Sequence, residues 1–140
     1  MARSTFTGPV VSNNGFIAGH QITTTDNAIP ATAVATAAQV ATGYITTTSA
    51  ALTTITLPTG TLLGGLIGAT RGTSFDLYVD NTAGASVVTI AVATNGILSS
   101  AAADTPGSFG DLTIAAGATG LARFTIMFSS ATAYVFTRTA

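Results

Sequence analysis

The chain has 140 residues, 47% of them hydrophobic and only 6% charged, with neither Lys nor Glu and four Arg against five Asp. Length sets one domain with a real core. The hydrophobic content excludes disorder, and the balanced, sparse charge excludes a nucleic-acid surface. A surface so poor in charge lacks the repulsion that keeps crowded monomers apart, so it suits an assembly or an extracellular setting.

Without cysteine, disulfides and thiolate metal sites are ruled out. The opening residues lack the apolar stretch of a signal peptide, and Thr, Gly or Ser interrupts every candidate membrane span. No membrane partner is therefore expected.

In chain order, residues 1–29 read as an arm. Gly8-Pro9 and Asn13-Asn14-Gly15 break it into pieces too short for a helix. It is either a frayed terminus or an arm whose Phe6 and Phe16, with Pro9, dock on a neighbouring subunit or a larger surface. Residues 30–43 are an Ala/Thr/Val stretch without charge pairs or an apolar stripe, and are expected to be extended. Residues 1–43 thus form arm and linker, and 44–140 the β domain.

From Tyr44 onward strand signals run continuously. Tyr44–Thr48 and Thr53–Leu57 are short Thr/Ile segments, the second stopped by Pro58-Thr59-Gly60. The glycines of Thr61–Gly68 make no phosphate loop, because no Lys-Ser/Thr follows, so they predict close packing or a bend. Thr73–Asp80 alternates, with Phe75, Leu77 and Val79 on one face and Asp76, Tyr78 and Asp80 on the other. Asn81–Gly84 turns the chain, and Ser86–Ala93 is expected to return as a hairpin partner presenting Val88, Ile90 and Val92. Asn95-Gly96 marks another turn, and 99–110 a loop of small residues.

The last stretch is a closing hairpin, Leu121–Phe128 and Ala133–Arg138 around a Ser/Ala/Thr turn. A four-residue turn pairs Phe128 with Ala133 and Ile126 with Val135. A three-residue turn instead gathers Phe128, Tyr134, Ile126 and Phe136 on one face, and the sequence leaves the register open. Either way the second face stays partly apolar, carrying Met127 with Tyr134 and Phe136, or Val135. That pattern expects a covered outer surface or a subunit interface. Seven or eight short strands without a convincing helix predict an all-β sandwich or barrel, with a jelly roll preferred.

No catalytic set is visible. His20, the single histidine, lies in the arm, and no activated Ser is marked. Asp76 and Asp80 share a strand face about 13 Å apart, too far for a glycosidase pair. Asp80 instead reads as a turn cap before Asn81. Asp104 or Asp111 could take calcium with backbone carbonyls, but no Asp-x-Asp-x-Asp-Gly run supports it. Arg123 and Arg138 are edge or interface groups. The chain reads as a non-enzyme without cofactor or metal.

The succession Thr56-Leu57-Pro58, Gly72 to Thr82, Val88-Thr89-Ile90, Leu112 to Gly117, Ala122 to Ile126 and Thr132 to Arg138 resembles jelly-roll modules of tailed-bacteriophage virion proteins. The opening Ser4 to Phe16 is similar to the start of small structural proteins of marine and cyanobacterial phages. The resemblance implies a capsid decoration (cement) protein on the capsid exterior, a homotrimer bound to the major capsid protein partly through an N-terminal arm. Phe6, Pro9, Phe16, Met127, Tyr134 and Phe136 are the expected capsid or subunit contacts. Two other roles are a fibre, spike or tail-tip domain binding glycans, for which Tyr44, Tyr78 and Tyr134 are the aromatic candidates, and an ice-binding protein. Against the last, Thr46–Thr48 and Thr53–Thr56 recur at no regular spacing.

Overall fold

The alternation in residues 73–80 becomes β4 (Ser74–Asp80), with Leu77 and Val79 buried and Tyr78 exposed. The computed structural model describes residues 27–98 and 112–139. Around β4 the chain forms two sheets, mainly β and sandwich-like. One has four strands, in the order β1 (Ala33–Val34), β3 (Thr53–Thr56), β5 (Val88–Ala91) and β7 (Thr113–Ile114). The other has five: β2 (Tyr44–Thr46), β4, β8 (Leu121–Ser130), β9 (Ala133–Arg138) and β6 (Gly96–Leu98).

From β1 to β7 each strand joins the sheet its predecessor did not. An isolated parallel bridge from Ala28 to Thr46 starts the same alternation one step earlier. β1, β3 and β5 pair in parallel, as do β2 and β4. From β1 to β5 the chain therefore winds as a flattened coil, advancing one strand in each sheet per turn, and β7 then joins β5 antiparallel. The antiparallel β8–β9 hairpin is wedged between β4 and β6.

This winding overturns the hairpin expected from 73–80 and 86–93. Both sides of β4 are taken, by β2 and by seven register pairs to β8, while β5 lies between β3 and β7 in the other sheet. The connection is a corner between layers, held by the fully buried Asn81. Its Nδ2 donates to the carbonyls of Ser86 and Ala115, both at 2.9 Å, and its Oδ1 accepts from Ser49 Oγ at 3.2 Å. Its backbone N–H donates to Gly120 O at 2.6 Å. A buried amide this fully bonded avoids the desolvation cost of unpaired polar atoms.

Two short helices replace segments expected to be strand, linker or bend. In α1 (Ala37–Ala41), Thr36 and Gln39 form a reciprocal capping box. Thr36-x-x-Gln39 is a readable start signal that outweighs the weak propensity of the stretch. In α2 (Gly60–Ile67), Thr59 caps Leu62 N, and Gly68 ends the helix in the left-handed region at φ 64°. Gly60 and Gly64 face the β8–β9 turn so closely that a Cβ on either would collide with its backbone carbonyls. Of the glycines expected to pack closely, Gly64 does and Gly65 meets nothing, and the backbone there is helical.

The interior is one cluster fed by both sheets. β3, β5 and β7 supply Ile55, Val88, Ile90 and Ile114, while the hairpin supplies Phe124, Ile126, Phe128, Tyr134 and Phe136. Ile29, Ala35 and Val40 join it, so part of the stretch assigned to the linker packs with the β domain. Register across the hairpin sets Phe128 opposite Tyr134 and Ile126 opposite Phe136, with a shift between Phe128 and Ser130. Of the two expected registers, the structure takes the one that gathers these four side chains. Phe124 and Phe136 stack at 4.8 Å between centroids, and Phe128 tilts against Tyr134 at 5.8 Å.

Candidate functional site

Because strand side chains alternate, each sheet presents a second face to the outside. On the four-stranded sheet the outward rows follow from register. Thr54 pairs with Thr89, and Thr89 with Thr113, so one row of threonines crosses three strands. Val34, Thr56 and Ala91 form the next row. Leu52, 80% exposed, and Val87 extend the face at the strand starts. No charged residue occurs within 32–34, 52–56, 87–91 or 113–114. Arg138 reaches this sheet from β9, but at its backbone, donating from Nη1 to Thr113 O at 2.8 Å.

The outward face of the five-stranded sheet is built differently. Tyr44, Tyr78 and Arg123 occupy one row across β2, β4 and β8. Thr46, Asp80 and Leu121 form the row beside it, and Asp76, Thr125 and Thr137 lie on the far side of the tyrosines. Tyr44 is 44% exposed and Tyr78 38%. Tyr44 donates its phenol to Asp80 Oδ2 at 2.7 Å, while Asp80 Oδ1 accepts from Thr82 N and Oγ1 at 2.9 and 2.6 Å. Bonds from Thr82 first and Tyr44 second hold the Asp80 carboxyl below its usual range, and the same contact raises the Tyr44 phenol. Asp80 thus caps the corner before Asn81, as its position in the sequence suggested. Asp76 accepts from Thr125 Oγ1 at 2.7 Å, and Arg123 Nε donates to Thr139 Oγ1 at 3.1 Å.

The expected contact residues separate. Tyr134 and Phe136 are core side chains and present nothing to a partner. Tyr134 donates its hydroxyl to Pro58 O at 2.9 Å, and burial pushes its phenol upward. Pairing with Phe124, Phe128 and Ile126 draws these two rings inward. Met127 faces outward, 51% exposed and opposite Val135, so these two carry the apolar outer side of the hairpin. Of the three tyrosines, the fold brings Tyr44 and Tyr78 together and withdraws Tyr134. Arg123 points outward and Arg138, opposite Phe124, lies on the inward side, so the two do not meet. Phe6, Pro9, Phe16, His20, Asp104 and Asp111 lie outside the described residues.

Leu62 and Leu66, exposed one turn apart on α2, were not anticipated as surface groups. The Thr59 cap was the signal that could have found them. Among the described residues no group of three or more His, Cys, Asp or Glu gathers to hold a metal, and no helix is long and apolar enough to cross a membrane. Comparison with protein-family models, with curated proteins and with solved structures finds no match.

Proposed function

We propose that this chain is a structural virion protein, a decoration (cement) protein that binds the outer capsid surface of a tailed bacteriophage as a trimer and stabilises the head. The observation that carries this reading is the uncharged outward face of the four-stranded sheet, where Thr54, Thr56, Thr89, Ala91 and Val34 line up without a single ionised neighbour in their strands. Desolvating such a face removes no charge from water, so covering it with another protein is cheap. Its size matters too. Two strands of four residues and two of two fit within roughly 19 Å by 13 Å, less than about 250 Å². A stable interface needs about 800 Å² per partner. One face is therefore too small alone, and it suits a protein that adds several weak contacts through threefold symmetry and an N-terminal arm. Of the jelly-roll expectation, the reading retains two packed sheets. Four of the seven strand pairs are parallel, where a jelly roll is antiparallel.

The test is light scattering of the full chain followed by co-sedimentation with expanded, undecorated phage heads. A trimer that sediments with heads, and whose Thr89→Arg variant stays trimeric but remains in solution, supports the reading. A stable monomer, or head binding indifferent to Thr89→Arg, overturns it.

Ice binding is a second reading, now favoured by one observation. Threonines irregularly spaced in sequence fall into a single row across β3, β5 and β7. Thermal hysteresis in a cooled solution would favour it over the capsid clamp, and its absence would remove it.

A further inference from the structure

We propose that the row Tyr44–Tyr78–Arg123, flanked by Asp80, is a saccharide-binding site that takes a neutral pyranose oligosaccharide lying across β2, β4 and β8. Three planar side chains on neighbouring strands span about 10 Å, the reach of two linked pyranose rings. Tyrosine offers an apolar ring face to sugar C–H groups while its hydroxyl stays available to water or a hydroxyl partner. The guanidinium of Arg123 continues that platform. Its Nε donates to Thr139 Oγ1, which leaves the two Nη groups as donors for a ligand.

The second observation is pre-organisation. An exposed tyrosine ordinarily pays rotamer entropy on binding, but here Tyr44 is tied to Asp80, and Asp80 is tied twice to Thr82. The network fixes both the ring and a carboxylate acceptor beside it. Asp80 accepts sugar hydroxyls in ionised form, and Thr46 and Thr125 supply hydroxyls in the rows on either side. A chain 6% charged places an Asp, an Arg and two of its three tyrosines in this small area, which a plain solvated face does not require. The site stands on the five-stranded sheet and holds or fails independently of the capsid clamp, which uses the opposite face.

The experiment uses the full chain with starch, cellulose, chitin and xylan as pull-down matrices, followed by titration with the hexaose of any matrix that retains it. With three tyrosines and no tryptophan, tyrosine emission reports binding directly, and buried Tyr134 supplies a constant background. Retention on at least one matrix is expected, with Tyr78→Ala weakening the hexaose about tenfold through loss of one stacking contact. Tyr44→Phe keeps the ring but frees it, and a smaller, few-fold loss is expected. Thr89→Arg, on the opposite face, leaves binding unchanged and the light-scattering mass of each variant checks its assembly. Retention on none of the four matrices overturns the proposal, as does binding that survives both Tyr78→Ala and Arg123→Ala.

Discussion

The two sheets of this protein are opposites both inside and out. The five-stranded sheet buries aromatic rings from one long hairpin and shows water two aspartates, an arginine and two tyrosines. The four-stranded sheet is built of strands two to four residues long, buries aliphatic side chains and shows threonine, alanine and valine. One sheet supplies the aromatic interior and a polar outer face. The other is thin and uncharged, suited to being covered. Among the described residues, three ionised side chains stand on one face, and the strands of the other carry none.

The largest test of that contrast is in the interior. Phe136→Ala removes the ring stacked on Phe124 and is expected to cost about 3–5 kcal/mol, whereas Ile90→Ala in the thinner sheet should cost about 2–5. Urea unfolding measures both, and an Ile90 cost clearly above that of Phe136 would reverse the assignment of the hairpin as main support. Next comes the corner that passes the chain from one sheet to the other. Asn81→Ala strips donors from Ser86 O and Ala115 O and the acceptor of Ser49 Oγ, and about 1–3 kcal/mol is expected. An effect near zero would mean that water replaces the amide and that the corner does not depend on it.

Tyr134 gives a pH-dependent version. Burial raises its phenol above the ordinary 10.0, so the unfolded chain ionises first. Its stabilisation is complete below pH 10 and is lost as pH rises toward the folded value. Melting temperature should therefore fall above pH 10. Tyr134→Phe loses the bond to Pro58 O at neutral pH, about 1 kcal/mol, but flattens the alkaline slope. A slope unchanged by the substitution would place the alkaline loss elsewhere. The smallest effect belongs to the outer face. Asp80 is held below its ordinary 3.8, so its contribution is present above that value and fades as pH falls through the lowered one. Asp80→Asn should soften acid unfolding slightly, because the group is largely solvated. An acid transition identical in both proteins would show that its bonds to Thr82 and Tyr44 do not contribute.

Much of the fold was legible in local pattern. Leu77 and Val79 alternate with Tyr78 and Asp80 and point as alternation requires, and the Phe124–Arg138 hairpin closes where its turn residues lie. The exposed face of the candidate saccharide site was half visible, since Tyr78 and Asp80 share a strand face in the sequence itself. Tyr44 and Arg123 could not be added to it. They come from positions 34 residues before and 45 after Tyr78, and only strand pairing makes them neighbours.

Residue type and a period of two were enough to place the longer strands, to turn Leu77, Val79, Val88 and Ile90 inward, and to leave the surface poor in charge. Tertiary structure alone decided which sheet each strand joins, the hairpin register that sends Tyr134 and Phe136 inward, and the helix at Gly60–Ile67. Those outcomes depend on competition among distant partners. β4 could have paired with β5 across a short loop, but β2 and the seven-pair ladder with β8 take its edges instead. Nothing within a window of ten residues encodes that choice.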